Sequence, residues 1–212
     1  VQTCALPILP ERSIYACLKY AGISIKEIDI IASHGATWGN TYKNILISYF
    51  TDTFGYCPEL EFVHHHDAHA ASAYYGSGFD NSMIISLDAS GDGVSTQLMI
   101  GRNGKLELIE RFSRPNSLGI FYSIITQFCG FRRDSDEYKL MGLAAYGDRN
   151  AYDMSRILSF GNGKFELNEK YLKPIEEGAS QPTRQEMAYS KHLIEWLGNK
   201  RYFGEPIQQK HK

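Results

Sequence analysis

Apolar positions recur along this chain at two periods, and the period switches where glycine, proline or a capping residue falls. After Pro10, the residues Ile14, Cys17, Leu18 and Ala21 stand at helical spacing and Gly22 follows, which predicts a helix. Ile28-Asp29-Ile30-Ile31-Ala32 is short and largely apolar and predicts a buried strand. Its C-terminal end carries a polar loop, Ser33-His34-Gly35, the place where α/β sheets bind ligands. Asn40 is positioned to cap a helix through about Phe50, with Ile45, Leu46, Tyr49 and Phe50 inward. Glu61-Phe62-Val63 predicts a short strand, and Ala68–Tyr75 a helix stopped by Gly76 and Gly78.

Beyond residue 80 the pattern turns to strands. Met83–Leu87, Val94–Ile100 and Leu106–Phe112 predict a three-stranded antiparallel meander. The last two are joined by Arg102-Asn103-Gly104-Lys105, the signature of a type I′ hairpin. The helical period then returns. Ser117 caps a helix with Leu118, Phe121, Tyr122, Ile125 and Phe128 inward, ended by Gly130. A second helix is expected within Asp134–Tyr146 and a third over Ala151–Phe160. Gly161-Asn162-Gly163 turns into a short strand near Phe165. A loop over Pro174–Pro182 and a polar-faced helix over Thr183–Leu197 complete the pattern. Alternating strands and helices place the chain in the α/β class.

Composition narrows the functional classes. With 212 residues the chain can bury the core of one large domain or two small ones. A net charge of −2 offers no basic surface for nucleic acid or anionic membranes, and no apolar run is long enough to cross a bilayer. Cys4, Cys17, Cys57 and Cys129 are widely spaced with no CxxC pair. They read as reduced, buried thiols in a cytoplasmic protein without a signal peptide. The start, Val1-Gln2-Thr3-Cys4-Ala5-Leu6-Pro7, reads as cut from something longer.

Three stretches carry candidate chemistry. The first is His64-His65-His66-Asp67-Ala68-His69. On a helix His65 and His69 face the same way, a spacing that suits two imidazoles on one metal ion. A pair supplies too few ligands, and Asp88, at the end of the next strand, is the candidate carboxylate. A mixed imidazole and carboxylate set suits Fe(II), Mn(II) or Zn(II) better than Mg(II). His66 points off that face, towards substrate or a supporting partner. The second stretch is Asp88-Ala89-Ser90-Gly91-Asp92-Gly93, where Ser90, Gly91, Asp92 and Gly93 could cradle a phosphate with backbone N–H groups. An Asp-Gly hairpin turn has the same sequence. The third runs from Asp136 to Gly147, where Lys139 could meet a phosphate and Gly142 let a nucleotide lie against the backbone. An amphipathic helix with a small-residue packing face reads the same way.

Taken together these residues resemble a known family. His65-His66-Asp67-Ala68-His69-Ala70-Ala71-Ser72, Leu87-Asp88-Ala89-Ser90-Gly91-Asp92-Gly93, Ser117-Leu118-Gly119-Ile120-Phe121-Tyr122 and Glu137-Tyr138-Lys139-Leu140-Met141-Gly142-Leu143-Ala144-Ala145-Tyr146-Gly147 look like successive motifs of the nodulation-type and antibiotic-tailoring O-carbamoyltransferases. The resemblance covers roughly residues 9 to 210. It implies an actin-like ATPase fold built from two ribonuclease-H-like halves and incomplete in both. Residues 1–80 would be the remainder of the first half, and residues 81–212 the start of the second, with inserted helices. It implies a metal, commonly iron, held by His65 and His69 and in part by Asp88. It implies that the Gly turn and the Lys139–Gly147 segment hold carbamoyl adenylate. That adenylate would be made from carbamoyl phosphate and ATP in a separate domain missing from this chain.

The function expected is transfer of the carbamoyl group to a hydroxyl of a sugar or antibiotic, with His66 as the catalytic base. The fragment alone is expected to be inactive. Two other readings compete: a tRNA threonylcarbamoyl-transfer protein, which the lack of basic charge disfavours, and a nucleotide- or metal-binding module without turnover.

Overall fold

The computed structural model describes residues 10–173 and 188–208. The chain divides into two compact units. One comprises the described residues up to Ile84 with Gly101–Leu106, and the other Ile85–Ile100 and the described residues from Glu107 on. Among the described residues the fold is mixed α/β.

In the first unit α1 (Glu11–Ala21) ends at Gly22, whose left-handed backbone (φ 71°) returns its N–H to the last-turn carbonyls. Ile14 and Leu18 pack inward, whereas Cys17, expected to be buried, is exposed. β1 (Ile30–His34) follows. It starts two residues later than predicted, runs through Ser33 and His34, and is exposed at alternate positions rather than buried. α2 (Gly39–Phe54) connects it to β2 (Glu59–Val63), which pairs with β1 in parallel, so the three elements form a β-α-β unit. Asn40 lies inside the first turn of α2 and does not cap it; Trp38 holds that position with no side-chain cap. The helix continues past Phe50 because Phe50 and Phe54 stack at 5.8 Å, and Gly55 (φ 72°) then stops it. Tyr42, Leu46 and Phe50 form its buried stripe and pack with Ile25.

α3 (His65–Ser77) begins three residues earlier than predicted and passes through Gly76 to a left-handed Gly78. Its buried face is His66, Ala70 and Tyr74. Tyr74 lies over Gly101, where an added Cβ would come within 2.4 Å of the ring.

β3 (Asn81–Gly91), β4 (Val94–Arg102) and β5 (Lys105–Ser113) form a three-stranded sheet in that order. Two-residue turns join them: Asp92-Gly93 (φ 50° and 80°) and Asn103-Gly104 (φ 51° and 72°). Both residues of each turn are left-handed, as a type I′ hairpin requires.

In the second unit Ser117 caps α4 (Leu118–Phe128), its Oγ accepting from Ile120 N–H at 3.0 Å. Ile124 and Phe128 are the core residues of α4. Phe121, Tyr122 and Ile125 are half-buried because they line a groove of about 830 Å³ shared with α5 (Glu137–Ala144). The helix expected over Ala151–Phe160 does not form. A 3-10 turn, Met154–Arg156, leads into β6 (Leu158–Gly161), which pairs antiparallel with β7 (Lys164–Leu167) around Asn162-Gly163. Here the Asn-Gly hairpin signal outweighs a helical apolar period. α6 (Lys191–Leu197) is capped by Ser190. The predicted loop over Pro174–Pro182 and the start of the helix predicted from Thr183 lie outside the described residues. Ile124, Phe128, Ile157, Tyr171 and Leu193 centre the core.

Candidate metal centre

Parallel pairing explains where the histidines gather. β1 and β2 end at the same edge, with His34 opposite Val63, so the chain leaving β2 enters α3 beside the end of β1. His64 is the N-cap of α3, its Nδ1 accepting from His66 N–H at 3.3 Å.

His65 and His69 then stand one turn apart, their Nε2 atoms 3.0 Å from each other and their rings 4.6 Å between centroids. Two imidazoles bound at right angles to one ion by bonds of about 2.1 Å would hold their nitrogens about 3.0 Å apart. The same distance suits an N–H···N hydrogen bond, so the pair converges on one point with or without an ion. Asp88 completes a candidate triad: one ligand atom from each of His65, His69 and Asp88 lies within 4.8 Å of the others. Two imidazoles and a carboxylate are the donor chemistry of a first-row divalent ion, so the residues present fit one.

In the second unit the backbone at Asp88 is fixed by α4. The buried Ser117 Oγ lies 3.1 Å from Asp88 O and 2.9 Å from Ala89 O. Gly119 sits so close that an added Cβ would be 2.6 Å from Ala89 N and 2.7 Å from Asp88 C and O. Asp88 Oδ1 accepts from Ala89 N–H at 2.6 Å. Beyond the expected helix cap, the Ser117–Tyr122 motif thus braces the backbone at Asp88.

His66 is completely buried, with its ring 5.4 Å from that of His65 and 6.1 Å from that of His69. Its ring is thus shut off from solvent while packed near both members of the pair. Of its two expected roles, burial favours support of the ligand helix over contact with an acceptor. His34, expected in a ligand-placing loop at the strand's end, is the last residue of β1 and joins the cluster: it is exposed, and its ring meets that of His65 edge-on at 6.2 Å.

The expected nucleotide residues fall in two places. Ser90 and Gly91 end β3, while Asp92 and Gly93 are the hairpin turn. Lys139 and Gly142 are on α5. Lys139 Nζ donates to Asp136 Oδ1 at 2.8 Å, and Asp136 Oδ2 accepts from Arg132 N–H at 3.1 Å. The Lys139 hydrogen bond is the main cause holding the Asp136 carboxyl below its usual range, and the same bond raises the Lys139 ammonium above its own. Around Gly142 an added Cβ would meet nothing within 4 Å. The groove beside α5 is lined by Leu140, Met141, Leu143 and Ala144.

Cys129 is buried, and desolvation pushes its thiol up to about 11, so it is unreactive near neutrality. Among the described residues, no helix is long and apolar enough to cross a membrane.

Residues 29–185 match a family described as carbamoyltransferase N-terminus. The uncharacterised protein sll1178 of Synechocystis sp. is 31% identical over 202 residues, covering 77% of this chain and 33% of its own length. Nodulation protein NolNO of Sinorhizobium fredii is 34% identical over 161 residues, 66% of this chain and 24% of that protein. Nodulation protein NolO of Bradyrhizobium diazoefficiens is 39% identical over 90 residues, 42% of this chain and 16% of that protein. The chain therefore spans at most a third of the length of these relatives. A Ppx/GppA phosphatase of Aquifex aeolicus matches 65% of this chain and 45% of its own at 15% identity, with a TM-score of 0.33, too low to bear on the fold.

Proposed function

This chain belongs to the carbamoyltransferase N-terminus family, and we propose that it is part of a carbamoyl-transfer domain. In this reading the full-length protein makes carbamoyl adenylate from carbamoyl phosphate and ATP in a separate region. The transfer domain then passes the carbamoyl group to a hydroxyl of a small-molecule acceptor. We propose an actin-like architecture, with residues 1–80 belonging to a first ribonuclease-H-like half and residues 81–212 opening a second. ATP and carbamoyl phosphate as precursors point to the cytoplasm.

The observation that carries the reading is the convergence of His65, His69 and Asp88 in a chain of this family. In transfer, the acceptor oxygen bonds to the carbamoyl carbon, the bond from that carbon to the adenylate phosphate oxygen breaks, and AMP leaves. The acceptor hydroxyl proton must go to a base. His65, His69 and Asp88 would hold a divalent ion, Fe(II) by preference. Two imidazoles with one carboxylate are donors that such an ion would accept. When bound, the ion supplies Lewis-acid stabilisation of charge growing on the carbonyl or phosphate oxygen. His66 packs beneath the pair and orients it. A base role for His66 would require α3 to shift and expose it. Ser90, Gly91, Asp92, Gly93, Lys139 and Gly142 remain the proposed adenylate contacts, supported by their family motifs.

The test is acceptor-dependent AMP release from ATP by the full-length protein. It should require carbamoyl phosphate, collapse in His65→Ala and His69→Ala, and be absent from the 212-residue chain alone. Full activity in both histidine variants would refute the reading. His66→Gln divides the two roles. Loss of transfer with metal content kept would make it the base; loss of both together makes it a support for the ligands.

A further inference from the structure

The carbonyl of Asp88 and the N–H of Ala89 belong to one planar peptide group. Three contacts converge on that plane, all within the second unit. The buried Ser117 hydroxyl lies 3.1 Å from Asp88 O and 2.9 Å from Ala89 O. Gly119 presses on the same plane: a Cβ there would stand 2.6 Å from Ala89 N and 2.7 Å from Asp88 C and Asp88 O. The N–H of the plane, in turn, donates to Asp88 Oδ1 at 2.6 Å. A peptide plane is rigid, so whatever fixes its carbonyl fixes its N–H as well. Contacts made by α4 are therefore handed on to the carboxylate.

We propose that Ser117 and Gly119 are positioning residues for Asp88. α4 clamps the 88–89 peptide plane, and the N–H of that plane holds the carboxylate in the orientation that a divalent ion takes. The inference rests on the metal-centre reading and adds to it the residues that aim the third donor. Helix formation alone does not account for them. Capping uses the lone pairs of Ser117, which accept from Ile120 N–H at 3.0 Å. Its proton is left for the carbonyls of Asp88 and Ala89. Gly119 lies inside α4 and is not among the left-handed glycines, and glycine weakens a helix interior. Only the close approach to Asp88 and Ala89 asks for glycine there. Ligating carboxylates that lose the hydrogen bonds orienting them bind their ion more weakly.

The test is the Co(II) affinity of the full-length protein, read anaerobically from its visible bands. Ser117→Ala removes the hydroxyl, whereas Gly119→Ala keeps it and displaces the plane. Each should raise the Kd for Co(II) about tenfold, with one equivalent still bound. In an Asp88→Ala background the same two changes should move Kd less than about twofold, because the carboxylate they aim is gone. Ser190→Ala removes the cap of α6 instead and should leave Kd unchanged. Either of the first two variants carries the test if the other fails to fold. An unchanged Kd in a folded Ser117→Ala or Gly119→Ala protein overturns the proposal. So does an equal loss with and without Asp88, or a similar loss in Ser190→Ala, since either marks a purely structural role. If the unaltered protein binds no Co(II), the metal reading itself falls and the proposal with it.

Discussion

The start of α3 and the turn between β3 and β4 both read as ligand sites, and the structure treats them differently. At Asp92-Gly93 two successive left-handed residues look like a phosphate cradle, but β4 is reversed by the same device at its other end, Asn103-Gly104. Closing a hairpin requires the same backbone in both places, so the proposed ligand role of Asp92-Gly93 rests on its family motif and not on its φ values. At His65 and His69 the signal lies in the side chains, one turn apart on α3, rather than in the backbone. Histidine is a mediocre helix former, and the Nε2 atoms of the two rings meet at 3.0 Å. A backbone signature can be explained by the backbone. A constellation of chemically specific side chains that the fold does not require points to function.

That contrast can be broken or sharpened in steps. The largest effect is expected at Gly119, which joins the strand of the turn to α4. Gly119→Ala drives a Cβ into the backbone of Asp88 and Ala89 and should cost about 2–3 kcal/mol in urea unfolding. Gly142→Ala, with open space around it, should cost nothing or stabilise slightly. Equal effects would mean that α4 does not brace Asp88.

Asp92 comes next. Asp92→Ala should cost about 1 kcal/mol, since alanine resists a φ of 50°, and Asp92→Asn should cost almost nothing. If Asp92→Asn also weakens ATP binding to the full-length protein about tenfold or more, the turn is the adenylate contact proposed above; unchanged binding would remove it from that set.

The smallest effect is a pH dependence at Lys139. The Asp136 carboxyl is lowered in the folded protein by its hydrogen bond to Lys139. Its stabilisation is present above the unfolded value near pH 4 and is lost as pH falls through the lowered folded value. The Lys139 ammonium is raised, so its share is full below about pH 10 and lost as pH rises through the raised value. Between those limits the pair adds no slope. Asp136→Asn should flatten the acid limb of stability against pH. If the acid limb is unchanged, the pair does not hold in solution.

Much of this was legible in the sequence because it was local. The helix at α1, the Ser117 cap, the Asn103-Gly104 hairpin and the i,i+4 histidines depend on residues within a few positions of each other. What escaped depended on pairing at a distance. Nothing in His34 alone reveals that parallel register sets it opposite Val63 and beside α3. Nor does Gly119 alone reveal that α4 lies against the backbone of Asp88. The helix read over Ala151–Phe160 failed because Leu158–Gly161 finds a strand partner beyond Asn162-Gly163, which a local period does not register. The complete burial of His66 also lay beyond a local pattern, since three neighbouring histidines look alike in sequence.

The most direct test of the metal centre is anaerobic titration of the chain with Co(II), followed by its visible absorption bands. One equivalent should bind, with the bands lost in His65→Ala and His69→Ala, weakened in Asp88→Ala and kept in His64→Ala. Absence of binding, or bands that survive loss of both His65 and His69, would contradict the account.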